Sequence, residues 1–95
     1  MEKREVYEKH KKYLVPCVAT YYKEPLILER GKGKYVYDID GKEYLDFFGG
    51  IVTISVGHCD DEITSKTCDQ MKRLQHTSSL YPNIPIISLA EKLAQ

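Results

Sequence analysis

The side chains able to do chemistry are few, and no catalytic set is complete. His58 stands between Gly57 and Cys59, a place from which an imidazole could act as a general base. Such a base needs a nucleophile within reach and an acid to orient it. No Ser or Cys with an acidic orienter is recognisable around His58, so Gly57-His58 reads as a structural corner ahead of a helix. Gly31-Lys32-Gly33-Lys34 has the look of a phosphate loop. A Walker A motif needs four residues between its glycines and a following Lys-Ser/Thr, and the dinucleotide fingerprint needs glycine where Val36 stands. The run therefore reads as a plain turn. His58, Cys59, Cys68 and His76 invite a zinc reading, but no Cys-x-x-Cys or close His pair supports it, and no metal site is assigned. Cys59 and Cys68 read as small buried hydrophobes rather than reactive thiols. The eight Tyr read as packing for hairpins and interfaces, where an apolar ring and a polar hydroxyl are both useful.

The hydrophobic pattern defines the elements that must position these residues. Glu2 to Leu14 predicts a helix, with Val6, Tyr7, His10, Tyr13 and Leu14 on one broad stripe, ended by Pro16. Cys17 to Pro25 reads as extended or irregular, and Leu26 to Leu28 as a short strand. Lys34 to Ile39 and Glu43 to Phe48 are rich in strand-favouring residues on either side of Asp40-Gly41, a hairpin signal. A two-residue loop would set Asp38 opposite Glu43. A three-residue loop bulged at Gly41 faces Asp38 with Lys42, and opposite charges across strands favour it. Gly49 to Gly57 is apolar and glycine-flanked, either a buried strand or a loop whose backbone lines a pocket.

Two helices follow. The first has Asp60 as a cap, Asp61 and Glu62 in its first turn, Lys72 and Arg73 in its last, and Ile63, Thr67, Met71 and Leu74 facing inward. Thr77 to Asn83 reads as a loop, and Ile86, Leu89, Ala90 and Leu93 carry the period of the second helix. That helix reaches Gln95 with no Gly, Asn or Pro to stop it, which suggests a chain cut within an element.

Composition sets the limits. The chain has 95 residues, and 42% of them are hydrophobic when Tyr is included, enough for a modest core only. Fourteen Lys and Arg balance fourteen Asp and Glu without a basic stripe, which argues against nucleic acid as a partner. No run approaches the roughly 20 apolar residues of a membrane span, and the charged start lacks a signal-peptide core. Three Cys in no framework spacing fit a reducing compartment. The expectation is a cytoplasmic chain with no membrane partner, organellar import being left open.

The order of motifs then carries a resemblance. Glu29-Arg30-Gly31-Lys32-Gly33, the stretch from Tyr35 to Phe47, Gly50-Ile51 and Gly57-His58 together resemble the N-terminal region of class III aminotransferases, pyridoxal-phosphate enzymes of fold type I. Phe47 to Cys59 and Leu74-Gln75-His76-Thr77-Ser78 look most like the alanine–glyoxylate aminotransferase 2 group. The family usually has proline where this chain has Asp61. An acid in a first turn is also stabilised by the helix dipole, so the helix is expected to survive.

The resemblance implies an α+β fragment of the fold type I α/β architecture: an N-terminal helix, a short antiparallel hairpin or meander, then two helices. Residues 1–95 would be an N-terminal region, with a small-domain hairpin about 26–48, a pocket loop 49–59, a helix about 60–76 and the start of another about 86–95. The large domain that binds pyridoxal 5'-phosphate would be absent. The implied reaction moves an amino group between an amino acid or amine and a 2-oxo acid, in a homodimer. Gly50, Ile51 and Val52 match the loop on the substrate side of the pocket, and Tyr21 a position near the substrate in ornithine-type relatives. Ser78, Ser79 and Tyr81 fall in a loop that approaches the cleft at the dimer interface. None of the eleven lysines matches the Schiff-base position, so no catalytic or cofactor-binding residue is assigned and the chain alone is expected to be inactive. The competing reading is a non-catalytic fragment or interaction module.

Overall fold

The computed structural model describes residues 1–20 and 22–95. They divide into two compact units, Met1–Asp60 and Asp61–Gln95. Together the elements make a small mixed α+β arrangement of helices and one three-stranded antiparallel sheet.

The first unit opens with α1, Lys3–Tyr13. His10, Lys11 and Lys12 sit in its last turn, where positive charge suits the helix dipole. Pairs one turn apart, Arg4 with Glu8 at 3.1 Å and Glu5 with Lys9 at 2.6 Å, reinforce its exposed face. Val6, Tyr7 and His10 are half-buried as the stripe predicts, whereas Tyr13 and Leu14 are exposed. The Tyr7 hydroxyl donates to the Pro25 carbonyl at 2.6 Å and ties α1 to the chain that leads into the sheet.

The sheet runs β1 (Leu28–Lys32), β2 (Tyr35–Asp38), β3 (Glu43–Leu45) in that order, each antiparallel to the next. β1 begins where the expected strand was to end, and it runs through Gly31-Lys32, half of the expected turn. Pairing with β2 explains the shift: Gly31 stands opposite Val36 and Lys32 opposite Tyr35, leaving only Gly33-Lys34 to make the connection. Gly33 takes φ +58°, which glycine adopts without strain. A bulge at Glu29 offsets the register between Leu28 and Arg30.

The β2–β3 connection is the three-residue one. Tyr37 pairs with Glu43, the Asp38 amide donates to the Lys42 carbonyl at 3.0 Å, and Gly41 lies at φ +84°. The register matches the expectation, but charge pairing is not its cause. The Asp38 carboxylate takes hydrogen bonds from the Asp40 amide (3.0 Å), the Lys42 amide (2.9 Å) and the Tyr44 hydroxyl (2.9 Å). The Lys42 ammonium lies instead over the Tyr44 ring, 5.2 Å from its centre. Asp38 is 6% exposed, the one buried residue among those described. Burial pushes its carboxyl up, yet the bonds from Lys42, Tyr44 and Asp40, with the charge of Lys3, hold it below the ordinary value. A buried carboxylate is tolerable here because each oxygen is hydrogen-bonded. Beyond the sheet the first unit has one further element, the short turn α2, Gly49–Val52.

The second unit holds α3 (Asp61–Arg73) and α4 (Ile84–Ala94). α3 begins at Asp61 with Asp61 and Glu62 in its first turn, so the helix survives without the family's proline. It stops three residues short of the expected end. There the Leu74 amide donates to the Gln70 carbonyl, and the Gln70 side-chain amide donates to the Leu74 carbonyl, closing the terminus. Its expected inward residues Ile63, Met71 and Leu74 are all exposed. α4 starts two residues before the periodicity suggests, because the Asn83 side chain caps it by accepting from the Ile86 amide at 3.2 Å and Pro85 occupies the first turn.

No hydrophobic side chain among the described residues is buried. Cys17, Cys59 and Cys68 are free and exposed, which corrects the reading of Cys59 and Cys68 as buried hydrophobes: there is no apolar interior to take them.

Candidate substrate-side site

The chain leaves β3 at Asp46, and this carboxylate organises the loop from Phe47 to His58. One oxygen accepts from the Phe48 amide at 2.8 Å and the Gly49 amide at 2.9 Å. The other lies 2.6 Å from His58 Nε2. Bonds from Gly49, His58 and Phe48, in that order, hold the Asp46 carboxyl down at about 2. An ionised carboxylate only accepts, so Nε2 of His58 carries the donated proton.

Asp46 thus anchors the start of α2, a single turn of inverted hand. Its φ angles are +58° at Gly49, +63° at Gly50, +63° at Ile51 and +54° at Val52. The Val52 amide donates to the Phe48 carbonyl at 3.0 Å and the Thr53 amide to the Gly49 carbonyl at 2.8 Å, the spacing of an α-helix wound the other way. Left-handed geometry suits glycine but costs a side-chain-bearing residue roughly 1–2 kcal/mol. Ile51 and Val52 are β-branched, for which it is least natural. They are also 70% and 90% exposed, so packing does not compensate. Gly49 to Gly57 is therefore not a buried strand.

His58 is fixed from its other side by Gly33, just beyond the end of β1. Its amide donates to the Gly33 carbonyl at 2.8 Å, and the Gly33 amide donates to the His58 carbonyl at 2.9 Å. A side chain at Gly31 would begin 2.8 Å from His58 Cγ, so the ring sits where only glycine leaves room. At Gly57, φ +88°, a side chain would begin 3.1 Å from the Gly33 carbonyl oxygen. The Lys32 ammonium donates to the Cys59 carbonyl at 3.0 Å. The predicted corner at Gly57-His58 is real, and Asp46 is the acidic partner that sequence inspection missed. Twelve residues separate the two, and no spacing rule joins a strand end to a loop histidine.

The predicted site residues fall into three groups. Gly50, Ile51 and Val52 share the inverted turn of the first unit. Tyr21 lies outside the described residues. Ser78, Ser79 and Tyr81 share one exposed loop of the second unit, in which Ser78 takes φ +61°. That loop is held by Thr77 and Asn83: the Thr77 hydroxyl donates to the Tyr81 carbonyl at 3.1 Å and accepts from the Asn83 side-chain amide at 3.0 Å. Among the described residues, no three His, Cys, Asp or Glu side chains gather as a metal site would require.

The family model of the class III aminotransferases matches residues 18–95. The chain belongs to that family. Alanine–glyoxylate aminotransferase 2 of Homo sapiens, a mitochondrial protein by its name, is 45% identical over 89 residues, covering 94% of this chain and 17% of the human one. The acetylornithine aminotransferase of Archaeoglobus fulgidus is 42% identical over 88 residues, 93% of this chain and 23% of that one. Among solved structures, the ornithine aminotransferase of Toxoplasma gondii, described with partial occupancy of pyridoxal phosphate at its active site, superposes with a TM-score of 0.78. It is 30% identical, and the match covers 87% of this chain and 18% of that one. This class III chain therefore spans about a fifth of the length of the relatives it matches.

Among the described residues, the groups such a cofactor would need are not seen together. Pyridoxal phosphate is held through a lysine whose ammonium is desolvated to ease its deprotonation. All eleven lysines here are exposed. The Gly31–Lys34 run offers no phosphate cradle either, since the Gly33 amide is already bonded to the His58 carbonyl.

Proposed function

We propose that these 95 residues are the N-terminal region of a pyridoxal-phosphate-dependent aminotransferase acting between an amino acid or amine and a 2-oxo acid, in the manner of alanine–glyoxylate aminotransferases. In this reading Gly50, Ile51 and Val52 form the substrate-side wall, and Ser78, Ser79 and Tyr81 belong to a loop at the cleft and dimer interface. Tyr21 would lie near the substrate. The observation that carries it is the inverted turn Gly49–Val52. It holds two β-branched side chains in solvent, at a conformational cost that packing within this chain does not offset. Such strain is typical of residues shaped for a ligand or an opposing surface. Family membership supplies the surface: the large domain of a homodimeric enzyme, which would also supply the Schiff-base lysine, the group facing the pyridine nitrogen and the phosphate site. When bound there, the cofactor supplies the electron sink for amino transfer. This chain's residues bound and orient the substrate.

A hybrid enzyme tests the reading. Residues 1–95 replace the aligned stretch of the human relative, and alanine–glyoxylate transamination is measured beside the 95-residue chain supplied with pyridoxal phosphate. The hybrid is expected to bind the cofactor and turn over, and the chain alone to do neither. A hybrid that folds, binds the cofactor and is inert would sink the assignment of this segment to the pocket.

A further inference from the structure

We infer that Asp46 and His58 are positioning residues for the substrate-side wall, a brace that sets the inverted turn Gly49–Val52 relative to the sheet. The inference rests on the aminotransferase reading above and adds two residues to it. The connections run in one line. The β1–β2 connection fixes His58 through the paired backbone bonds with Gly33, 2.8 and 2.9 Å, and β1 makes room for its ring through the missing side chain of Gly31. His58 fixes Asp46 by the 2.6 Å contact from Nε2, with the two side chains only 21% and 14% exposed. Asp46 fixes the turn by accepting from both amides that open it, Phe48 and Gly49. The turn then continues on its own bonds, from the Val52 and Thr53 amides and from the Thr53 hydroxyl to the Gly50 carbonyl at 2.7 Å.

The brace matters because it fixes the end at which the left-handed conformation begins. Ile51 and Val52 contribute little burial, and their backbone favours relaxation out of the left-handed region. A strained element without packing keeps its shape only while fixed groups over-determine it. One carboxylate, both of whose oxygens are engaged, does this at the first residue of the turn. Neither Asp46 nor His58 need touch the substrate. They would act on where Gly50, Ile51 and Val52 stand, and displacement of a pocket wall by a fraction of an ångström is felt in binding.

Two measurements decide it. In the hybrid enzyme, Asp46→Ala and His58→Ala are each expected to raise KM for alanine and glyoxylate about tenfold, while cofactor content stays the same and kcat changes little. Asp46→Asn keeps an oxygen for the Phe48 and Gly49 amides and should recover most of the loss. His58→Gln, whose side-chain amide can still donate to Asp46, should do likewise. Unchanged KM in both alanine variants would overturn the inference, as would an asparagine variant no better than alanine. A loss of cofactor and fold in Asp46→Ala leaves the decision to the His58 pair, which spares the turn's own bonds. If the unmodified hybrid is itself inactive, the brace is judged in the 95-residue chain by NMR, and where that hybrid folds and binds the cofactor the assignment of this segment to the pocket fails with it. There His58→Ala must speed exchange of the Phe48 and Gly49 amides by about tenfold, the change expected when a fixed acceptor is freed. Unchanged exchange at both amides would refute the brace independently of any enzyme function.

Discussion

Asp46 concentrates the physical chemistry of the first unit in one side chain. Its carboxyl lies at about 2, drawn below the ordinary 3.8 by the Gly49 amide first, then by His58 and the Phe48 amide. A carboxyl whose folded value is depressed contributes stability that is fully present above its unfolded value. That contribution is lost as pH falls through the unfolded value and on past the folded one. The window here runs from just above 3.8 down to about 2. Asp38 is shifted in the same direction by its own three hydrogen bonds and adds to the acid sensitivity of the hairpin. The expected outcome is that the carboxyl carbon of Asp46, followed by NMR, titrates near 2, and that the Gly49 amide proton moves with it. A midpoint in the ordinary carboxylate range would contradict the geometry. Neutral Asp46→Asn should flatten the loss of stability below pH 4, leaving the part that belongs to Asp38.

The elements divide by how local their causes are. The β2–β3 hairpin depends on Gly41 at φ +84°, with open space where a Cβ would stand, so Gly41→Ala is a purely conformational change. It should cost about 1 kcal/mol. Gly31 has ordinary backbone but no room, because a Cβ would meet His58 Cγ at 2.8 Å. Hydrogen exchange separates the two in the 95-residue chain. Gly41→Ala should speed exchange of the Asp38 amide about fivefold and leave the His58 amide alone, whereas Gly31→Ala should do the reverse. Equal effects at both amides would mean that the sheet opens as one piece. This division also explains which elements were legible in the sequence. The hairpin register was legible because Asp40-Gly41 acts within three residues, and α1 and α3 because their periodicity and charge ends are local. The start of α4 was legible too: Asn83 and Pro85 are a cap and a first-turn proline, outweighed by the apolar period from Ile86. The inverted turn was not legible, since Ile51-Val52 speaks for a strand and the reason for its conformation stands at Asp46, outside the apolar run. The Asp46–His58 contact was hidden for the same reason. Family resemblance marked Gly50 to Val52 as a pocket loop, but it gave no hint that the loop is wound backwards.

For the whole molecule, the decisive quantity is apolar surface without a partner. Phe47, Val52, Leu80, Ile84 and Leu93 are each more than three-quarters exposed, and no hydrophobic residue among those described is buried. Soluble monomers seldom expose large apolar surface without a use for it. Burying such surface gains about 25 cal/mol per Å², so the chain has a standing incentive to cover it with whatever is at hand. Charge offers little opposition, because fourteen cationic side chains balance fourteen anionic ones and the pI is about 6.8. Net repulsion between copies is therefore weakest near neutral pH. In the proposed enzyme the same surface would be taken up by the large domain and the second subunit, which is why a class III chain spanning about a fifth of its relatives' length can be so poorly buried. The expected behaviour of the 95-residue chain is association that grows with concentration, is strongest near pH 7 and binds an apolar dye. The hybrid enzyme should sediment as one discrete species with little dye uptake. Sedimentation velocity at pH 5, 7 and 9 checks both. A monodisperse, dye-free monomer at pH 7 would show that the exposed side chains find cover within these 95 residues, and the case for a missing large domain would then have to stand on family membership alone.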